Sequence, residues 1–127
     1  MDYKALLQKA RKIMENSYSP YSKFRVGAVV LCESGNVYTG VNIENSSFGA
    51  TICAERTAIC KAISEGEKKI KAVVVASDLD DYIFPCGICR QFIGEFMDED
   101  GVVICSNKKD EYLEKSFKEI FPNFFRL

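Results

Sequence analysis

Lys71-Ala72-Val73-Val74-Val75-Ala76 is the stretch on which the fold turns. Five apolar residues in a row suit a central strand covered on both faces, because a strand with one wet face alternates apolar and polar side chains. Such a strand needs a helical layer above and below it. Its flanks supply them. Residues 54–63 are strong helix formers with Ala58, Ile59, Ala62 and Ile63 on one side, and Gly66 ends the run. Residues 87–97 read as a second buried helix, reached by a loop over 77–85. Further out, residues 24–31 and 37–43 are β-rich and joined by Glu33-Ser34-Gly35-Asn36, a hairpin signal. Residues 3–15 space Leu6, Leu7, Ala10, Ile13 and Met14 as one face of an amphipathic helix. Residues 102–105 give a fourth strand and 112–115 a weaker fifth. Ser116-Phe117-Lys118-Glu119 matches a capping box that opens a short helix stopping at Pro122. The order is α-β-β-α-β-α-β-β-α, without repeats or linkers, in a single domain over 1–127.

Charge and composition narrow the function. The net charge is −1 and no basic run exceeds a pair, such as Lys68-Lys69 or Lys108-Lys109. A polymeric nucleic acid is a poor partner for such a surface. No stretch approaches the roughly 20 apolar residues of a membrane span, and the first fifteen residues show no targeting pattern. The expected compartment is the cytosol, where the six cysteines more often bind metal or do chemistry than form disulfides. The chain has no histidine. That excludes Ser-His and Cys-His nucleophiles and any His-ligated metal. A proton carrier near neutral pH must be another group, such as a carboxyl with a raised pKa.

Two motifs, Cys53-Ala54-Glu55 and Pro85-Cys86-Gly87-Ile88-Cys89, sit at the expected loop-to-helix boundaries. Cysteines at i and i+3 in a first turn present both sulfurs on one side, and a helix N-terminus stabilises thiolates. Cys53 can add a third sulfur, leaving one tetrahedral position open as a catalytic zinc requires. Glu55 is near such a metal yet free of it, and can carry protons. Arg56 can donate to the sulfurs and withdraw charge that three thiolates push onto the ion. Alternatives remain at this point. C-x-x-C also occurs in redox motifs and in structural zinc sites, where Cys32, Cys60 or Cys105 would close the shell. Glu55 and Arg56 could be ordinary solvated helix-start residues.

On these residues the chain resembles the cytidine deaminases of the small, all-cysteine, homotetrameric type. The zinc deaminase signature is a metal ligand, one residue and Glu, followed later by Pro-Cys-x-x-Cys. Pro20-Tyr21-Ser22-Lys23-Phe24-Arg25-Val26-Gly27-Ala28 resembles the first strand of that family. Gly40-Val41-Asn42-Ile43-Glu44-Asn45 resembles its sugar-binding strand end, and Cys53-Ala54-Glu55-Arg56-Thr57-Ala58 its zinc helix. The resemblance implies a three-layer α/β/α sandwich around a mixed five-stranded sheet. It implies one Zn²⁺ per chain on Cys53, Cys86 and Cys89, with Glu55 catalytic and Arg56 supporting the sulfurs. It places Phe24, Asn42, Glu44, Ala54 and Phe125 against a nucleoside, Phe125 in a neighbouring subunit's pocket. The implied reaction is hydrolytic deamination of cytidine and deoxycytidine with release of ammonia, in pyrimidine salvage. The rivals are a deaminase of another aminopyrimidine, such as a nucleoside antibiotic, and a non-catalytic zinc protein. Phe48 stands where many relatives carry Tyr, and the chain ends two residues after Phe125. Both departures bear on assembly.

Overall fold

The apolar run forms the middle of the sheet. In a computed structural model describing residues 1–127, it belongs to β3 (Ile70–Ser77). On one side β3 pairs antiparallel with β1 (Val26–Cys32), and β1 with β2 (Val37–Val41). On the other it pairs parallel with β4 (Met97–Ser106), and β4 antiparallel with β5 (Tyr112–Ser116). The order β2-β1-β3-β4-β5 makes the five-stranded sheet mixed.

The two-residue period of β3 divides its side chains between two cores. Ala72, Val74 and Ala76 meet Leu7 and Ala10 of α1 (Lys4–Ile13), which covers one face alone. Val73 and Val75 meet Ala58, Ile59 and Ala62 of α2 (Ala54–Ser64), Ile93 of α3 (Gly87–Phe96), and Phe117 and Ile120 of α4 (Phe117–Ile120). The three valines are fully buried, as coverage on both faces requires. The structure is the expected three-layer sandwich.

The differences are local. Phe24 precedes β1 instead of opening it. Met97 leaves α3 and starts β4, which therefore begins five residues before the expected 102. Asp98-Glu99-Asp100-Gly101 has the composition of a turn, but Met97 pairs with Ile70 across a register shift that carries the strand through it. The helix α4 ends at Ile120, two residues short of Pro122, with the Ser116–Glu119 capping box in place.

Two features aim the site. The loop after β3 leads from the carboxyl end of a central strand to the start of α3, the usual place for a ligand crevice in an open α/β sheet. Gly40 lets β2 lie directly on α2. A Cβ there would fall 2.4 Å from the Ala58 nitrogen and 2.6 Å from the Ala54 carbonyl oxygen. Both obstacles are backbone, so Gly40→Ala is expected to cost about 1–3 kcal/mol through overpacking. A thermal melt unchanged from wild type would contradict that close approach.

Candidate active site

Cys53 is the N-cap of α2 and Cys86 the N-cap of α3, both with extended backbone. Cys89 lies one turn into α3 and is fully buried. The two helix starts face each other, and the three Sγ atoms lie within 4.8 Å of one another. Cys53 Sγ and Cys86 Sγ are 3.9 Å apart. A tetrahedral ion with Zn–S distances of about 2.3 Å needs sulfurs about 3.8 Å apart, so the cluster fits zinc. Cys32 and Cys105 are buried in β1 and β4, where burial is the main cause raising each thiol to about 11. Cys60 is exposed on α2. None of these three joins the cluster, so the alternative of a closing fourth cysteine is not realised.

Arg56 lies against the sulfurs. Its Nη2 donates to Cys53 Sγ at 3.5 Å, and its buried Nε has no partner. An unpaired N–H beside sulfur calls for anionic acceptors, which thiolates on a metal provide. The hydrogen bond to Cys53 raises the guanidinium above its already high range. The hydrogen bond from Cys89, then those from Arg56 and Cys86, lowers Cys53 to about 5 against the opposing effect of burial. The same bond keeps the shared proton on Cys89 and raises that thiol.

Glu55 is 4% exposed and forms no salt bridge. Burial raises its carboxyl to about 7; the nearby Cys53 adds to the rise, while its own backbone N–H and Arg56 oppose it. A carboxyl tuned to that range both accepts and returns protons near neutral pH.

The residues expected at the sugar are placed at the end of β2. Asn42 is buried. Its Oδ1 accepts from the Val26 N–H at 3.0 Å and from the Ser17 hydroxyl, and its Nδ2 donates to the Phe24 carbonyl at 2.8 Å. One amide hydrogen is left over. Glu44 accepts from the Tyr21 and Ser22 N–H groups at 2.9 and 3.2 Å and from the Ser22 hydroxyl. The Ser22 hydroxyl is the main cause holding its carboxyl below the usual range. Both side chains therefore fix the 17–26 segment, Asn42 from a buried position and Glu44 from a partly exposed one. With Tyr21, Ser22, Phe48 and Thr51, Glu44 borders a shallow cavity of about 440 Å³. Phe24 is half-buried against the main core, and Ala54 is buried in the first turn of α2.

The tail divides. Phe124 packs on its own chain at 5.4 Å from Phe117 and from Phe121. Arg126 Nη2 donates to the Gly94 carbonyl at 2.8 Å. Gln91 Nε2 holds the Phe125 carbonyl at 3.0 Å, while the Phe125 ring is 64% exposed. Gln91, which holds the tail from α3, and its neighbour Arg90 are not among the expected site residues. The helical spacing of Arg90 from Cys86, four residues on, was the one signal of a shared face.

Three cysteines at two helix starts, with the buried Glu55 two residues from one of them, form a group positioned to bind one metal ion, as in a zinc-binding enzyme domain. Residues 1–105 match the sequence model of the cytidine and deoxycytidylate deaminase zinc-binding region. The chain belongs to the cytidine and deoxycytidylate deaminase family. A probable cytidine deaminase of Dictyostelium discoideum is 49% identical over 117 residues, covering 91% of this chain and 78% of the relative. A cytidine deaminase of Sporosarcina psychrophila is 43% identical over 125 residues, covering 98% and 92%. The crystal structure of the cytidine deaminase from Burkholderia pseudomallei superposes with a TM-score of 0.93 at 35% identity, covering 98% of this chain and 100% of that one. No helix is long and apolar enough to cross a membrane.

Proposed function

We propose that this chain catalyses the hydrolytic deamination of cytidine and deoxycytidine to the corresponding uridines, with release of ammonia. The observation that carries the reading is the clustering of three sulfurs within 4.8 Å beside a buried, unligated Glu55. Cys53, Cys86 and Cys89 hold the zinc, and Arg56 offsets their charge. Zinc held there supplies Lewis acidity that activates water toward C4 of the cytosine ring. Glu55 takes one proton from the attacking water and delivers it to the ring nitrogen N3, then takes the second from the hydroxyl formed at C4 and gives it to the departing amine, as the C4–N bond breaks and the C4–O bond becomes a carbonyl. The atoms balance as nucleoside plus water giving uridine plus ammonia. Asn42 and Glu44 hold the sugar hydroxyls with the capacity left after their loop contacts. Phe24 and Ala54 border the base. An absorbance assay on cytidine, deoxycytidine and free cytosine tests the reading. Turnover of both nucleosides and neglect of the free base supports it; preference for the base would remove the sugar contacts.

The same reading makes the protein a cytoplasmic homotetramer in pyrimidine salvage. Large apolar side chains stand exposed, among them Phe84 and Ile88, close in the chain to Cys86, and Phe125 in the tail. Such a patch marks an interaction surface, and a second copy covers it in this reading. Because Phe124 and Arg126 anchor the tail, the exposed Phe125 ring can be removed without unseating it. Phe125→Ala is expected to raise KM about tenfold, equivalent to about 1.4 kcal/mol, and to weaken the oligomer. An unchanged KM together with an unchanged sedimentation coefficient would remove the neighbouring-subunit role.

A further inference from the structure

The three zinc ligands are not equally supported. Cys89 is fixed by complete burial. Cys53 receives a hydrogen bond from Arg56. Cys86 is exposed, and its N-cap position brings no side-chain cap. Apart from the 3.9 Å contact with Cys53 Sγ, its sulfur is placed through the main chain on either side of it.

That main chain is held by one residue. The Arg90 N–H donates to the Cys86 carbonyl at 2.9 Å, closing the first turn of α3. The Arg90 side chain folds back, and Nε donates to the Pro85 carbonyl at 2.7 Å. The carbonyls before and after the peptide nitrogen of Cys86 are thus both bound by residue 90. Nη1 donates to the carbonyl of Ile120 at 2.5 Å. Ile120 is the last residue of α4, and its carbonyl has no partner within the helix. Pro85 and Ile120 are both buried, so each carbonyl needs a donor. Arg90 takes part in no salt bridge, and its planar fork spans two acceptors at once in a way a lysine cannot.

We propose that Arg90 is a positioning residue for the zinc ligand Cys86, clasping the ligand loop to the end of α4. The inference rests on the reading of the cysteine cluster as the catalytic metal centre. Loss of an outer contact of this kind typically costs about 10–100-fold in metal affinity. Arg11 provides a control of matched build. From α1, on the opposite face of the sheet, its guanidinium bonds Asp110 and the carbonyls of Ser77 and Asn107.

The test measures release of zinc from the loaded enzyme to 4-(2-pyridylazo)resorcinol, at a temperature below the melting transition of every variant. Arg90→Ala is expected to release zinc about 10–100-fold faster than wild type, with Arg90→Lys between the two. Arg11→Ala is expected to melt lower yet release zinc at the wild-type rate. Should Arg90→Ala fail to fold, Arg90→Lys decides alone, since it keeps the charge and at most one of the two carbonyl bonds. Release from the Arg90 variants at the wild-type rate would overturn the proposal, and so would equal acceleration in Arg11→Ala. A wild-type protein that binds no zinc would instead overturn the metal-centre reading itself.

Discussion

Glu55→Gln is expected to keep its zinc and its fold and to lose at least about 10²–10⁴-fold in kcat, the range removed with a general acid–base group. The loss is expected at the upper end or beyond, because in the proposed reaction one carboxyl serves several proton transfers and the chain contains no histidine to substitute for it. The variant is also expected to be no less stable than wild type. The carboxyl is 4% exposed and its charged form is disfavoured by burial, so a neutral amide of the same shape removes a cost of folding. Zinc content, a thermal melt and steady-state kinetics on cytidine check the three parts together. Turnover within a few-fold of wild type would take Glu55 out of the mechanism.

The second large effect is loss of metal. Replacing Cys53, Cys86 or Cys89 with Ala is expected to abolish zinc retention through dialysis, reduce turnover to background and lower the melting temperature, because metal binding contributes to folding. Each of the three supplies one of only three sulfurs in the cluster. Cys32→Ala, Cys60→Ala and Cys105→Ala are expected to keep one zinc per chain, since none of the three lies in that cluster. Elemental analysis of the purified variants checks both sets. Loss of zinc from a member of the second set would mean a closed, four-sulfur site and no open position for water.

The layer arrangement was legible because it rests on patterns that burial enforces. An unbroken apolar run cannot face water, and two periodic helices beside it leave few ways to cover both sides. The cysteine cluster was legible in part: three-residue spacing at a helix start puts Cys86 and Cys89 on one side, while the set with Cys53 as a catalytic zinc site is what the family resemblance implies. The start of β4 was hidden by Asp98-Glu99-Asp100-Gly101, whose turn-like composition is overridden by pairing between Met97 and Ile70. Arg90 was hidden because its acceptors are backbone carbonyls, one of them thirty residues away at Ile120. A carbonyl carries no residue identity, so no sequence pattern marks it. Asn42 and Glu44 show a third limit. The family resemblance implies sugar contacts for them, while their hydrogen bonds to Val26, Phe24, Tyr21 and Ser22 follow only from the folded 17–26 segment.

The split of the tail has the same origin. Phe124 and Phe125 are chemically identical neighbours, and residue type alone does not tell them apart. A Cβ at Gly94 would fall 2.3 Å from the Phe124 ring, so the missing side chain of α3 makes the notch that seats Phe124. Phe125 is left facing outward.

The central claim is that one zinc in an open three-cysteine site turns this chain into a cytidine deaminase. It is tested most directly by titrating zinc into the metal-depleted protein and recording the rate of uridine formation at saturating cytidine. The rate is expected to rise linearly with bound zinc and to stop rising at one zinc per chain. A rate independent of zinc, or a protein fully loaded with zinc that forms no uridine, would contradict the account.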